Sequence, residues 1–456
     1  MEDTISDMNV TLSPTLAAKE AELEDVETQL AHMSYGSRVP ATWISNALDE
    51  LHSQPKGHLD VGTVLIILEI SDFSKACRVH SYNLFAHTRL RRACEKFAAR
   101  PPHQGIDYLL VLEGKDDMPV LVPRPLSYDV RSAKAAEVSF LSEPAQQDND
   151  AQSDNETDES WSRYYDIFLR IISGRDSKSI GISRDNLDAA LRQITAMVDI
   201  AKAHRCAIPT IAEKLMVTFH GYGGRLYTAV GQDPIRWCKL GIDLQDEPLY
   251  KEAFIHLVGA YDSIYGKTTE LPSQHDILPS SVQGMIAAEA RELKDKRMNI
   301  DLLLQCMSVL RTAKGKTAFV SHYNDDPAAY DLVNLFRDYM TDHIRHLRWD
   351  APLVPTYLCS HTEGCNTVAG FYRLLSRGKH AYMRYEDVMK HWNMGLEGDD
   401  AETAKSTPKK LKETAKKYVQ PLVVSHLQAS GSEELHYLTC VKVEAEDYPW
   451  LAEGST

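Results

Sequence analysis

Residues 64 to 70, Val-Leu-Ile-Ile-Leu-Glu-Ile, form a short apolar run rich in β-branched side chains. It is too short to cross a bilayer and reads as a strand buried on both faces. A second apolar run, Tyr108 to Leu112, reads as its pairing partner, and Val120 to Val122 complete a hairpin across a turn at Gly114 to Met118. Between these runs, Asp72 and Ser74 mark a turn, and Leu84, Thr88, Arg91 and Arg92 follow at spacings that suit a helix with a basic side. Pro101-Pro102 stops that helix after Phe97. A strand, a helix and a returning hairpin define a small sheet core, and the rest of the chain must be built around it.

The stretch beyond the sheet follows a helical period. Tyr165, Phe168, Leu169 and Ile172 recur on one face. Leu187, Leu191, Ile194 and Val198 make a second stripe, with Asp185 expected to cap that helix and Pro209 to open the next. Trp237, Leu240 and Leu244, then Tyr250, Phe254, Leu257, Val258 and Tyr261, extend the pattern. Each of these stripes is a packing face. Further on, Met285, Ile286, Leu293, Leu302, Leu303 and Val309 are expected to pack as helices. Asp326-Pro327 starts a helix carrying Tyr330, Val333, Phe336, Met340, Ile344 and Leu347.

Several of these residues fall in an order that resembles a known family. Val79-His80, Leu84-Phe85, Leu90 and Cys94-Glu95 after an apolar strand resemble the start of a BTB/POZ domain, in which a strand pair leads to a Val-His and then to a helix that closes the core. Tyr165, Phe168, Leu169, Ile172 and Gly174 take the places of that family's Phe-x-x-Phe-Leu-x-x-Leu-Tyr-x-Gly helix. Val198, Ile200, Ala201, His204 and Ile208 take those of the helix after it. The Gln-Asp-Pro before Trp237 and the Glu252-Ala-x-Ile-His256-Leu-Val-Gly259 run are similar to the extension found in many ascomycete BTB-domain proteins. The resemblance covers much of 61 to 265. It departs from better-known members in a long acidic insertion and in lacking kelch, zinc-finger or MATH repeats.

The expected fold class is therefore α+β and predominantly α-helical: a BTB/POZ-like core of small sheet and helical cluster, plus a helical C-terminal domain. The expected segments are 1–57, helical or flexible; 58–265, the BTB/POZ-like domain with a disordered acidic insertion at about 126–160; 266–395, a helical domain; and 396–456, a charged loop with a terminal strand pair. Heptad-spaced Leu16, Leu23 and Leu30 read as a solvated acidic helix, because two heptads are too few for a stable coiled coil. The insertion, with Asp148, Asp150, Asp154, Glu156, Asp158 and Glu159 among Gln, Asn and Ser, has too little apolar surface to offset its chain entropy. Leu396 to Lys417, acidic at Asp399, Asp400 and Glu402 and basic at Lys409, Lys410, Lys412, Lys416 and Lys417, reads as a mobile loop whose mixed charge dilutes any nuclear-import or nucleic-acid patch. Val423 and Val424, with Tyr437, Leu438, Val441 and Val443, suggest the strand pair.

Charge narrows the choice of partner. A formal net charge of -15 is the wrong sign for general binding to nucleic acid or anionic membrane, which draws on clustered Lys and Arg. The acidic start, MEDTISDMNV, has no secretory signature, and no apolar run reaches bilayer length. Eight cysteines scattered along the chain fit reduced thiols in the cytoplasm or nucleus.

Three constellations bear on chemistry. Cys359, His361 and Cys365 are soft or borderline donors in a turn-forming segment, with His380, His391 or Cys440 available as a fourth zinc ligand. Their spacing matches no recurrent finger, so the expected set is ordinary thiols and a surface histidine, with no metal and no cofactor. Gly266-Lys267-Thr268 and Gly315-Lys316-Thr317 lack the first phosphate-loop glycine, since Tyr261 and Leu310 stand there. His220-Gly-Tyr-Gly223-Gly224 has an oxyanion-loop look without a Gly-x-Ser-x-Gly elbow, and reads as a helix end. His80 is expected to be a hydrogen-bonded core residue.

Two functions from different classes follow. The BTB/POZ resemblance implies a non-catalytic interaction protein: a homodimer, adaptor or scaffold of the kind that recruits cullin-3 ubiquitin ligases or transcriptional corepressors. The alternative is a structural-zinc C-terminal module, held by Cys359, His361 and Cys365, on a BTB-like assembly domain.

Overall fold

The computed structural model describes residues 62–69, 75–98, 105–114, 118–126, 160–174, 181–265, 277–313, 316–349, 367–378, 381–392, 399–429 and 435–452. The chain forms two compact units, one holding residues 1–81 and 91–158 and the other 82–90 and 159–456. The class is α+β and predominantly helical.

In the first unit, β1 (Val64–Ile67) lies between β2 (Ala76–Val79) and β3 (Tyr108–Glu113), and β4 (Val120–Arg124) flanks β3. β1 runs antiparallel to β2, with Val64 opposite Val79, and parallel to β3, with Val64 opposite Tyr108. β3 and β4 form the expected hairpin, with Leu112 opposite Leu121. Every β1 side chain is fully buried, as a central β-branched run requires. The single helix expected after His80 is instead two, α1 (Ser81–His87) and α2 (Arg91–Glu95), separated by Thr88 to Leu90. Thr88 helps to end α1 by turning its hydroxyl back onto the Leu84 carbonyl.

The second unit, to which nearly all of α1 belongs, continues with α3 (Trp161–Ile172), α4 (Leu187–Ala203) and α5 (Ile208–His220). Tyr165, Phe168, Leu169 and Ile172 are buried, as are Leu191, Ile194 and Val198. Pro209 sits in the first turn of α5 as expected. The cap of α4 is Asn186 rather than Asp185: the Asn186 side chain accepts from the Ala189 N–H at 3.0 Å. α6 (Gly224–Gln232), α7 (Pro234–Leu244), α8 (Glu247–Gly259) and α9 (Tyr261–Tyr265) follow. Asp233 and Asp246 cap α7 and α8, and each is followed closely by a first-turn proline. α7 and α8 approach closely at Gly241, where an added Cβ would lie 2.9 Å from the Tyr250 nitrogen.

The chain continues through α10 (Ser280–Gln305), a hairpin of β5 (Leu310–Ala313) and β6 (Lys316–Phe319), α11 (Pro327–Trp349), α12 (Val368–Arg377), α13 (Tyr385–Trp392), α14 (Asp399–Val423) and α15 (Pro449–Ala452). Asp326 accepts the Ala329 N–H at 3.0 Å and so caps α11. Leu304, Phe336, Met340, Phe371, Leu375 and Leu411 meet in one apolar cluster. No division between compact units falls at residue 265, where the sequence placed a domain boundary; residues on both sides of it belong to the second unit.

Four expectations in this part are corrected. Residues 399–417, read as loop, belong to α14, which runs on to Val423; Ala404, Thr407, Leu411, Ala415, Val419 and Leu422 bury at helical spacing. Lys412 is buried and donates to the Met383 carbonyl at 2.8 Å, and Lys405, Lys409, Lys410, Lys416 and Lys417 hold the outer face. Pro408 and Pro421 lie within that helix. The terminal strand pair is not formed: Val423 ends α14 and residues 435–444 carry no strand, although the His426 N–H reaches the Thr439 carbonyl at 3.0 Å. The β5–β6 hairpin replaces expected helix, and Leu302 and Leu303 are exposed rather than packed. Residues 1–57, the acidic insertion between 127 and 159, and the Cys359–Cys365 segment lie outside the described residues.

Candidate functional site

The most concentrated polar chemistry in the described structure is on α8. This helix is apolar almost all the way round, with Leu249, Ala253, Phe254, Ile255, Leu257 and Val258 all buried. Such a helix is enclosed by protein, and any polar residue on it must find a partner. Glu252 and His256, one turn apart, are 0% and 2% exposed.

Both residues are met by a strap of chain from much later in the sequence. The Glu252 carboxylate accepts the backbone N–H groups of Gln428, at 2.7 Å, and Ala429, at 3.0 Å. His256 Nδ1 lies 2.7 Å from the Tyr437 hydroxyl. One helical turn further, Gly259 leaves room for the Leu438 carbonyl and the Tyr437 ring. Tyr250 then donates its hydroxyl to the Asp447 carbonyl at 3.0 Å, beneath the stacked rings of Tyr448 and Trp450. The Glu252-Ala-x-Ile-His256-Leu-Val-Gly259 run is thus a docking strip: its two polar residues and its glycine all serve the strap.

The electrostatics suit fastening. Burial lowers the His256 pKa to about 4, so the ring is neutral at pH 7 and its 4.0 Å approach to Glu252 is not an ion pair there. Burial pushes the Glu252 carboxyl up, and the two strap N–H groups hold it down. Tyr437 is pushed up to about 12 by burial and by the Glu252 charge. His256 Nε2 has no hydrogen-bond partner among the described residues; an added Cβ at Gly231 would lie 3.3 Å from it, so helix α6 closes that side. A glutamate, a histidine and a tyrosine in line have the composition of a proton relay. With Glu252 and His256 sealed from water, this set holds chain to chain.

The constellations singled out from sequence fare differently. Cys359, His361 and Cys365 lie outside the described residues, as do His380 and the His391 side chain. Cys440 is buried and its thiol is pushed up by burial. Among the described residues no group of three or more His, Cys, Asp or Glu is placed to hold a metal ion. Gly266-Lys267-Thr268 is also outside the described residues, and Lys316 and Thr317 belong to β6, an extended strand with no phosphate-loop bend. Gly221 caps α5 as expected, and Tyr222 donates to the Ser183 and Asn186 carbonyls, stapling the loop before α4. His80 is exposed, contrary to the expected core role, because β2 ends at Val79 and releases the next side chain to solvent. Other histidines do occupy the core, among them His204, 3.0 Å from the Tyr165 hydroxyl.

No helix among the described residues is long and apolar enough to cross a membrane. No family model, no curated protein and no solved structure matches the chain.

Proposed function

We propose that the chain is a non-catalytic assembly protein of the BTB/POZ kind, which pairs with a second copy and presents its helical unit to another protein in the cytoplasm or nucleus. One observation carries this reading: the strand order of the first unit. A strand pair runs through Val79-His80 into helix α1, the succession the resemblance implies, and β3, expected from its own apolar run, returns beside β1. The buried face of α3, Tyr165, Phe168, Leu169 and Ile172, supports it from the second unit. Fold likeness does not by itself assign a role, so the partners implied by the resemblance, a cullin-3 ligase or a transcriptional corepressor, are part of the proposal. The mechanism is templating: a two-fold interface of buried surface brings two copies of the partner-binding unit together.

Tyr82 is 80% exposed at the first turn of α1, an aromatic of the type that anchors interfaces. Native mass spectrometry of the full chain tests the reading, since one spectrum reports subunit count and bound metal. A two-chain species that dissociates on Tyr82→Glu is the expected result. A species that stays single at every concentration overturns it, and a zinc adduct lost on Cys359→Ser advances the zinc-module alternative.

A further inference from the structure

A groove of about 800 Å³ opens in the second unit between α10 and the strap. Its floor is apolar, with Leu293, Pro421, Val424, Cys440 and Val441. Its ends carry opposite charge. Glu289, Glu292, Leu293 and Lys296 stand at i, i+3, i+4 and i+7 of α10 and so share one face. Glu289 lies toward the helix N-terminus and Lys296 about 10 Å further along the axis, with Glu292 about 6 Å from the lysine, at 1.5 Å per residue.

The opposite wall repeats the division. Asp447 and Glu446 join the acidic glutamates, Lys442 and His426 complete the lining with Lys296, and Glu444 falls between the two groups in sequence. Two independent directions agree on the segregation. The Glu289 carboxyl is pushed up by burial and then by the charges of Glu292 and Asp447, so acid faces acid across that end. His426 is held down by burial and then by Lys442, Lys251 and Lys296, against a smaller opposing pull from Glu444, so lysines gather at the other end. Each end repels itself, and a ligand bearing both charges relieves both ends.

We propose that this groove is a docking site for an extended segment of a partner protein that carries a basic residue and an acidic residue three positions apart, with apolar side chains between them over the Cys440–Val441 floor. The spacing follows from chain geometry. In a polyproline-II conformation residues i and i+3 point the same way and lie roughly 9 Å apart, close to the separation of the two ends. The basic residue sits among Glu289, Glu292 and Asp447, and the acidic one faces Lys296 and Lys442. The inference rests on the interaction reading and names where, and to what chemistry, the helical unit binds.

The test is selection of a random 12-residue peptide display library on the full chain at low ionic strength. Enriched peptides are expected to share a Lys or Arg and an Asp or Glu three positions apart around an apolar residue. A synthetic peptide of that consensus is expected to bind about tenfold more weakly to Glu292→Lys/Glu446→Lys, two exposed substitutions, and to recover when its basic residue is replaced by glutamate. No shared spacing, affinity indifferent to the double variant, or enriched peptides that match a segment of this chain would each overturn the proposal; the last would make the occupant the chain itself or a second copy. Failure here is separable from failure of the assembly reading. A single-chain species that selects these peptides loses only the dimer, and a two-chain species that selects none loses only the groove.

Discussion

Gly259 lies against the carbonyl oxygen of Leu438 in a space that a methyl group cannot share. The obstruction is backbone and an aromatic ring, neither of which can swing away cheaply. Gly259→Ala is therefore expected to displace the strap from α8 and to cost about 1–3 kcal/mol, even though alanine is the better helix former. Urea denaturation checks the cost. Proteolysis checks the mechanism, since a displaced strap is cut between 425 and 440 in the variant before the parent is cut there.

Acid is expected to weaken the second unit through its buried histidines. Burial holds His204 and His256 at about 4 in the folded state, against about 6.5 in an unfolded chain. Between those values the unfolded chain binds more protons. The stability each ring contributes is complete above about pH 6.5 and is lost as the pH falls toward 4. Glu252, whose carboxyl burial pushes up, takes up a proton more readily when folded and opposes part of that loss. Urea midpoints at pH 7 and pH 5 are expected to fall in the parent, with a shallower fall, by about 1 kcal/mol per pH unit, in His256→Gln. An equal fall in parent and variant would remove His256 from the account.

The Tyr372 hydroxyl donates to Asp301 at 2.5 Å, joining α12 to α10 where Asp301 is only 2% exposed. Tyr372→Phe keeps the ring and withdraws a donor from a buried carboxylate, at an expected cost of about 1–3 kcal/mol. The Asp301→Asn/Tyr372→Phe pair should cost less than the sum of the two single changes, and the double-mutant cycle measures the difference.

Overpacking tests α14. Ala415 is fully buried on that helix, so Ala415→Leu is expected to destabilise by about 1–3 kcal/mol. Lys416→Leu, one position along on the exposed face, is expected to change stability by less than about 0.5 kcal/mol. Equal responses at the two positions would place this helix outside the core.

What was legible in the sequence is what apolar side chains announce. β1, β3 and β4, the stripes of α3 and α4, and the Asp326-Pro327 start of α11 rest on large side chains at one period or on a local cap, and both signals are short-range. α14 was hidden because its inward face begins with Ala404 and Thr407, too small or too polar to register, amid lysines and two prolines; its helicity depends on what it packs against. The apolar residues at Tyr437 to Val443 imitate a strand, but Leu438, Thr439, Cys440 and Val441 are buried in succession without strand pairing. The Glu252 and His256 partners lie 176 and 181 residues away, beyond any local pattern. Their one visible trace is charge and imidazole inside a helix otherwise apolar on all faces.

The strap also sets a timetable. Ribosomes add about 5–20 residues per second, so Glu252 and His256 are made tens of seconds or less before Gln428, Ala429 and Tyr437 exist to receive them. During that interval α8 carries a carboxylate and an imidazole whose partners in the strap do not yet exist. Chaperones have their natural opening then, and a strap mutation would act first on the yield of newly made protein.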